Sequence, residues 1–347
     1  MRLNLLLTSV GRRSYLVKYF REALGSEGEV HAANSTGRTP AFAWADKSVV
    51  TPLIHDRDYI PFLLDYCGRH GIGAILSLFD IDLPVLAAHR KEFEDRGVRL
   101  LVSSAEVVAV CNDKWETRRF LEANGFPAPA AWLKKEDALR AVRDGLVSFP
   151  LIIKPRWGMG SIALYEADDE RELDVLYEKA KRDILKTYLK YESRERIEEG
   201  VLIQEKLEGD EYGLDIINDL EGEYRNTVVK LKHAMRSGET DCAMTVESPL
   251  LQELGRKLAV RLRHIGNLDA DVFVRGGTPY VLDLNARFGG GYPFSHAAGV
   301  NLPLAIVKWL KGEPVGPELL TARPGVTAHK DLEITLLGGT ADGGNGG

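Results

Sequence analysis

Apolar and polar positions follow two rhythms along this chain. Leu3 to Thr8 is a continuous apolar run, and Val30-His31-Ala32-Ala33, Ala74-Ile75-Leu76-Ser77-Leu78 and Val98 to Val102 are shorter ones. Runs of this length bounded by polar segments suit strands buried on both faces. Between them the spacing changes to helical intervals, as over Ser14–Leu24 with Tyr15, Val17, Phe20 and Leu24. Strands alternating with helices predict a doubly wound parallel sheet. Later runs at Phe149 to Pro155, Ile162 to Tyr165, Val201 to Leu207 and near Leu214-Asp215-Ile216 predict further strands. Asp168 to Glu199 is heavily charged, yet Leu173, Leu176, Ala180, Ile184 and Tyr188 recur at spacings of three and four, which predicts a surface helix with one buried stripe. Asp271 to Val274 and Tyr280 to Leu284 alternate around Gly276-Gly277-Thr278-Pro279 and predict a β-hairpin. Its period of two sends Asp283 and Asn285 to one face, with Arg287 following, and Asp271 reaches that face from the facing strand.

At 347 residues the chain exceeds one average domain, so two domains or one elaborated α/β domain are expected. The net charge of -6 is spread along the sequence without a basic stripe, which argues against nucleic acid as the main partner. No apolar run is long enough to span a bilayer, and the N-terminal run is too short for a secretory signal. Cys67, Cys111 and Cys242 are odd in number and widely spaced, and read as reduced, cytoplasmic thiols rather than disulfides or zinc ligands.

Candidate chemistry gathers where strands end. Asn34-Ser35-Thr36, Asp80 and Asp82 follow strands, where open α/β sheets bind ligands, although such residues also cap helices and shape turns. The loop Ser9-Val10-Gly11-Arg12-Arg13 has one glycine where a dinucleotide fingerprint has three. Lys114 opens a helix that Asn112 or Asp113 can cap, an unfavourable place for a cation unless an anion lies nearby. Lys154 ends an apolar strand, and Arg156-Trp157-Gly158-Met159-Gly160-Ser161 follows at once. Such a glycine-rich loop can fold over polyphosphate, or be a plain hairpin; it is not a Walker loop. Asp271, Asp283 and Asn285 offer the hard oxygen donors that Mg2+ prefers, and Arg287 suits phosphate. Gly289-Gly290-Gly291 permits close backbone approach to a ligand, or is a flexible loop.

Taken in order, Asn-Asp-Lys at 112–114, Phe-Pro-x-x-x-Lys-Pro at 149–155, Gly-x-Gly-Ser at 158–161, Gln-Glu-Lys-Leu at 204–207, Glu-Tyr-Gly-x-Asp at 211–215 and Asp-Leu-Asn-Ala-Arg-Phe-Gly-Gly-Gly at 283–291 form a set. The chain from Leu3 to about Leu310 resembles the ATP-grasp superfamily, in the branch similar to the synthetase halves of the carbamoyl-phosphate synthase large subunit. The resemblance implies an N-terminal Rossmann-like pre-ATP-grasp domain at 1–110 and a two-lobed ATP-grasp domain at 111–328, with a lid lobe at about 130–205. Residues 329–347 read as a frayed, glycine-rich tail. It further implies that Lys114 and Lys154 hold ATP phosphates and that Gly158, Gly160 and Ser161 form the lid loop. Glu205, Lys206 and Leu207 would line the adenine, Glu211 the ribose, and Asp271, Asp283 and Asn285 one or two Mg2+ ions, with Mn2+ as a substitute. Arg287 would contact the transferring phosphoryl group. Two departures stand out: Asp283 where the family usually has Glu, and Asn285-Ala286-Arg287 where it usually has Asn-Pro-Arg.

The activity implied is phosphoryl transfer from ATP to a small carboxylate, followed by attack of an amine. The segment Lys230 to Asp241 resembles the loop bordering the acceptor, where Arg236 would grip a carboxylate and Glu239 or Asp241 an ammonium. Lys230 or Lys232 would extend the phosphate site, and His233 is open between structural partner and base. The alternatives are a kinase-like enzyme that stops after phosphoryl transfer and a nucleotide-binding regulatory module without turnover. A homodimer is the family-level expectation, and no membrane partner is expected.

Overall fold

The computed structural model describes residues 2–158 and 160–337, so Met159 of the glycine-rich loop and the tail segment 338–347 lie outside the described residues. The chain divides into two compact units, one of Met1–Asp82, His89–Leu101 and Asp331–Gly347, the other of Leu83–Ala88 and Val102–Lys330. The first holds a parallel sheet of β1 (Asn4–Thr8), β2 (Val30–Asn34), β3 (Lys47–Val50), β4 (Ile72–Ser77) and β5 (Arg99–Leu100), in the order β3-β2-β1-β4-β5. Leu5, Leu6 and Leu7 are all buried, as the unbroken apolar run requires. The helix Ser14–Leu24 buries Leu16, Val17, Phe20 and Leu24.

Where β1 and β4 end, Asp82 is fully buried and collects hydroxyl donors. Thr8 (2.5 Å), Ser77 (2.8 Å) and Ser9 (3.2 Å) donate to its Oδ2, and Tyr59 (2.8 Å) donates to Oδ1. Burial pushes the carboxyl's pKa up while these donors pull against it. Asp82, considered above as a substrate contact, is thus a structural tie between strand ends. Asn34 is likewise engaged, accepting from the Gly11 amide (3.2 Å) and donating to Thr39 (3.0 Å).

The second unit is built on two antiparallel sheets. The smaller contains β6 (Ala131–Trp132), β7 (Leu151–Pro155), β8 (Tyr165–Ala167) and β9 (Val201–Glu205), ordered β6-β9-β7-β8. The larger contains β10 (Asp210–Asn218), β11 (Tyr224–Arg236), β12 (Glu239–Val246), β13 (Asn267–Arg275), β14 (Thr278–Asn285) and β15 (Thr327–His329), ordered β14-β13-β10-β11-β12-β15. One face of the larger sheet, including Leu214, Ile216, Val229, Leu268, Ala270, Val272 and Leu284, shares a core with Leu251, Leu254, Leu258, Ala259 and Leu262 of the helix Pro249–Leu262. Ser248 caps that helix by accepting from the Leu251 amide. A Cβ on Gly255 would lie 2.3 Å from Thr227 Oγ1, so glycine lets the helix sit directly on β11.

Several expectations shift. The strand returning from the glycine-rich loop begins at Tyr165, not Ile162. The charged segment forms a helix over Glu170–Leu185, then the short Lys190–Ser193 and a 3-10 turn over Arg194–Glu199, and its stripe runs through Tyr177 rather than Leu176. His329, placed above at the start of the tail, ends β15 opposite Cys242. The hairpin turn is the tight Gly276-Gly277 pair, with φ 57° and 78°, and Thr278 and Pro279 already belong to β14. No helix among the described residues is long and apolar enough to cross a membrane.

His264 sits fully buried beside this core. Its Nε2–H donates to the Ile216 carbonyl (3.0 Å), and Nδ1 faces the Asn218 amide nitrogen at 3.5 Å. That arrangement suits a neutral ring, and burial depresses its pKa to about 4 against 6.5. A folded pKa below the unfolded one contributes stability that is fully present above pH 6.5 and lost as pH falls through about 4. Such a difference is worth on the order of 3 kcal/mol. Urea unfolding of wild type and His264→Gln from pH 7 to pH 4 should show their stability difference shrinking with acidity; a constant difference contradicts the neutral buried ring.

Candidate active site

Pleating gives the larger sheet a second face opposite the apolar one, and the strand register decides what it carries. Lys230, Gly213, Asp271 and Asp283 lie opposite one another across β11, β10, β13 and β14, and Asp215, Asp269 and Asn285 form the next row. Glu211 and Lys232 belong to the same face by the period of two. Carboxylates crowded this closely need cations. Lys230 pairs with Asp215, which also accepts from Ser295 Oγ (2.5 Å) and Asn267 Nδ2 (3.1 Å). Lys232 Nζ bridges Glu211 (2.6 Å) and Asp271 (2.5 Å). Arg287 donates to Asp269 (3.3 Å), and Lys154 reaches from β7 of the smaller sheet to Asp283 (3.2 Å). Gly213 makes room for both β11 lysines: a Cβ there would stand 3.3 Å from Lys232 Cε and 3.6 Å from Lys230 Cε.

The protonation states follow from this pairing. Burial works against the charge on Lys232, but Asp271 and Glu211 outweigh it and hold its pKa above the usual lysine value. Burial, reinforced by Lys114 and only partly opposed by Asp283, pulls Lys154 down. Burial alone would raise Asp283, yet Lys154 and Lys114 keep it below the usual carboxylate range. Asp269 is raised, by burial first and then by Asp271, with Arg287 opposing.

Lys114 and Lys154 are brought together by a second cluster. Asp113 caps the helix Lys114–Ala123 by accepting from the amides of Trp115 (2.9 Å) and Glu116 (3.3 Å). The same carboxylate takes Arg156 Nε on both oxygens (2.8 and 3.0 Å) and Trp157 Nε1 (3.1 Å). The Lys114 amide bonds the Arg156 carbonyl at 3.1 Å, and Lys114 Nζ bonds the Gly158 carbonyl at 2.5 Å. Asp113 therefore ties the helix start to the base of the glycine-rich loop.

The Gly289–Gly291 triplet is not a loose loop. A Cβ on Gly289 would meet Asp269 Oδ1 at 2.1 Å, one on Gly290 the Glu239 carboxyl carbon at 3.1 Å, and one on Gly291 Lys230 Nζ at 3.4 Å. Three charged side chains from three strands pack against three glycines; a Cβ at Gly289 would force Asp269 to move, one at Gly290 would crowd Glu239, and one at Gly291 would only touch Lys230.

Other sequence-derived candidates are engaged elsewhere. Glu205 pairs with Arg275 (2.6 Å) and accepts from the Ala130 amide (3.2 Å), Lys206 pairs with Glu166 (2.6 Å), and Leu207 is buried. Arg236, expected to grip a substrate carboxylate, is held by Asp241 at 2.6 Å, and Glu239 accepts from Lys330 at 3.1 Å. Ser161 adopts φ 56°, and Gly160 72°. Asp269, Asp215, Arg156 and Trp157 carry no site role in the sequence reading; the alternation of Asp269 with Asp271, and of Glu211 with Gly213 and Asp215, was the available signal for the first two.

Mg2+ fits the donors present. Asp271 and Asp283 oppose each other and already attract ammonium groups, with the Asn285 amide oxygen one strand period further on. Among the described residues no three His, Cys, Asp or Glu side chains gather closely enough to hold a metal by themselves. Two carboxylates and an amide instead leave coordination positions for phosphate oxygens and water, as Mg2+ commonly takes them.

Comparison with known proteins agrees with this architecture. Residues 5–101 match the model of the PylC-like N-terminal domain, and residues 198–331 match the model described as ATP-grasp in the biosynthetic pathway with Ter operon. Carbamoyl phosphate synthase large chains are similar: that of Pyrococcus furiosus is 27% identical over 224 residues, 61% of this chain and 20% of the relative, and that of Methanocorpusculum labreanum 24% over 325 residues, 86% and 28%. The chain thus spans between a fifth and about a quarter of the length of these relatives. Among solved structures, a biotin carboxylase–β,γ-ATP complex from Campylobacter jejuni aligns with TM-score 0.72 at 14% identity, covering 92% of this chain and 73% of that one. An L-amino acid ligase from Bacillus licheniformis aligns with TM-score 0.68 at 19% identity, covering 94% and 79%. The fold, a parallel N-terminal sheet followed by two antiparallel sheets, is shared with these two structures. The chain carries a PylC-like N-terminal match and an ATP-grasp match, and the relatives and structural neighbours it resembles are ATP-grasp ligases, enzymes that use ATP and Mg2+.

Replacing Asp113 with Ala removes a helix cap and leaves the buried Arg156 guanidinium with Glu199, a longer contact to Glu116 and the Trp157 ring. The expected cost is about 3 kcal/mol. Urea unfolding checks it, and a loss below about 1 kcal/mol would show that Asp113 is not the tie described.

Proposed function

We propose that this chain joins a small-molecule carboxylate to an amine at the expense of ATP, through an acyl phosphate, with release of ADP and phosphate. The observation that carries the reading is the 3.2 Å contact between Lys154 of the smaller sheet and Asp283 of the larger, where a phosphate-binding cation faces a metal-binding carboxylate. In this reading residues 130–205 form the lid lobe of the ATP-grasp domain at 111–328, and residues 1–110 the N-terminal domain.

Lys154 and Lys114 hold the ATP phosphates, and the Gly158–Ser161 loop covers them. Glu205, Lys206 and Leu207 line the adenine, and Glu211 the ribose. Asp271, Asp283 and Asn285 hold Mg2+, which when bound supplies neutralisation of phosphate charge. Arg287, buried and fixed through Asp269, stabilises the phosphoryl group as it leaves ATP for the carboxylate oxygen. Phosphoryl transfer asks little covalent chemistry of the protein, so positioning and charge neutralisation carry it. Exclusion of water by the closed loop keeps the acyl phosphate from hydrolysis until the amine attacks. Arg236, once it exchanges Asp241 for a substrate carboxylate, borders the acceptor.

Lys154→Ala should lower Mg2+-dependent ADP formation by about 100-fold or more while leaving the circular dichroism spectrum unchanged. The assay uses a panel of amino acids and small carboxylates, with hydroxylamine to trap the acyl phosphate as a hydroxamate. Wild-type turnover in the variant would sink the assignment. ADP accompanied by a stable phosphorylated product and no hydroxamate would point instead to the kinase-like reaction.

A further inference from the structure

The turn between β11 and β12 packs closely against the glycine-rich loop. Ser237 and Gly238 both have positive φ, 51° and 77°, so the turn projects tightly from the end of the sheet. A Cβ on Gly238 would lie 2.6 Å from the carbonyl carbon and oxygen of Gly160 and 2.9 Å from Ser161 Oγ. No side chain fits between the two segments. The loop is anchored at its other end, where Lys114 Nζ holds the Gly158 carbonyl. From the same hairpin, Glu239 packs on Gly290 and Lys230 lies against Gly291.

We propose that Gly238 is a positioning residue for the reaction: its bare backbone is the seat onto which the phosphate-covering loop closes. The inference rests on the ATP-site reading above and adds to it the place where closure is stopped. One hairpin then touches both the covering loop at its tip and the glycine triplet at its stem. The side chains flanking the tip, Arg236 and Glu239, are the ones facing the acceptor in the proposed reaction. Seating the loop at Gly238 makes the acceptor side of the site and the phosphate cover meet at one turn, so a substituent there presses on the cover at Gly160 and Ser161.

The test pairs Gly238→Ala with Gly277→Ala in the full chain. Gly276-Gly277 is a matched turn, with φ 57° and 78°, and a Cβ on Gly277 meets nothing within 4 Å. Both variants therefore carry similar left-handed backbone strain, and only one obstructs the seat. Hydrogen exchange of residues 156–164 is measured with and without a Mg2+ complex of a non-hydrolysable ATP analogue. Wild type and Gly277→Ala should gain protection on binding, whereas Gly238→Ala should lose at least about tenfold of that protection. It should also show raised ATP hydrolysis relative to product formed. Equal protection in Gly238→Ala and wild type would overturn the seat while leaving the ATP site standing. Equal loss in both variants would overturn it as well, by reducing the effect to turn strain. Absence of nucleotide-induced protection in wild type would overturn the seat and the ATP reading together.

Discussion

Five carboxylates stand on one face of one sheet, and the rest of the site exists to balance them. Glu211, Asp215, Asp269, Asp271 and Asp283 are met by Lys230, Lys232, Arg287 and Lys154. Leaving a buried charge without its partner costs several kcal/mol, so none of these cations is dispensable to the arrangement. Three of them come from the sheet itself or the residues just after it. Lys154 comes from the other sheet, which makes its contact with Asp283 an electrostatic joint between the two sheets of the unit, as the pair of Glu205 and Arg275 also is. A joint of this kind opens in only one inexpensive way: Lys154 and Asp283 each trade the other for a ligand of the same sign when anion and cation arrive together. A metal–polyphosphate complex has that property, and a bare anion or a bare cation does not.

The apolar face explains why the balance can be so exact in register. Leu214, Ile216, Leu268, Ala270 and Val272 lock the central strands against the helix Pro249–Leu262, and Gly255 brings that helix down onto Thr227. With one face packed, slipping a strand by one residue would put the carboxylates into the core, so packing on one side enforces charge placement on the other. Groups carried by strands fixed in this way are held more closely than groups on loops. The glycine triplet extends the same logic beyond the sheet, since Asp269 leaves no room for a Cβ at Gly289 while Glu239 and Lys230 close over Gly290 and Gly291.

Much of this was legible in the sequence because it rests on local rules. The helix Ser14–Leu24 and the pairing of Asp271 with Asp283 follow from spacing and alternation. The family resemblance brought the two motif lysines to one phosphate site, which periodicity could not. What stayed hidden depends on tertiary partners. Asp82 reads as a ligand-facing residue until Thr8, Ser9, Ser77 and Tyr59 are seen to converge on it. Asp113 reads as one of two candidate caps until Arg156 and Trp157 arrive from a distant segment. The three glycines read as flexible because sequence shows the missing side chains and not the charges that require their absence. Arg236 reads as free for substrate because Asp241, five residues on, becomes its neighbour only through the β11–β12 turn.

The shorter Asp283, which in the sequence looks like a weakened metal ligand, acquires a different meaning in register. It lies directly opposite Asp271, and the register shifts just beyond, with Val272 facing Val281, so that Leu282 is an extra residue on β14. That bulge lets Val281 and Leu284 both turn inward although they are three apart, and it re-aims the residues that follow. Two aspartates facing each other across a strand pair have Cβ atoms about 5 Å apart, so their carboxylates stand at equal height above the sheet. A glutamate at 283 would lift one carboxylate a methylene higher, toward the space that Lys154 fills. The aspartate instead keeps the pair level and leaves that height to the lysine from the facing sheet. Shorter by a methylene, Asp283 still meets Lys154 Nζ at 3.2 Å, so the departure at 283 leaves the contact between the two sheets in place.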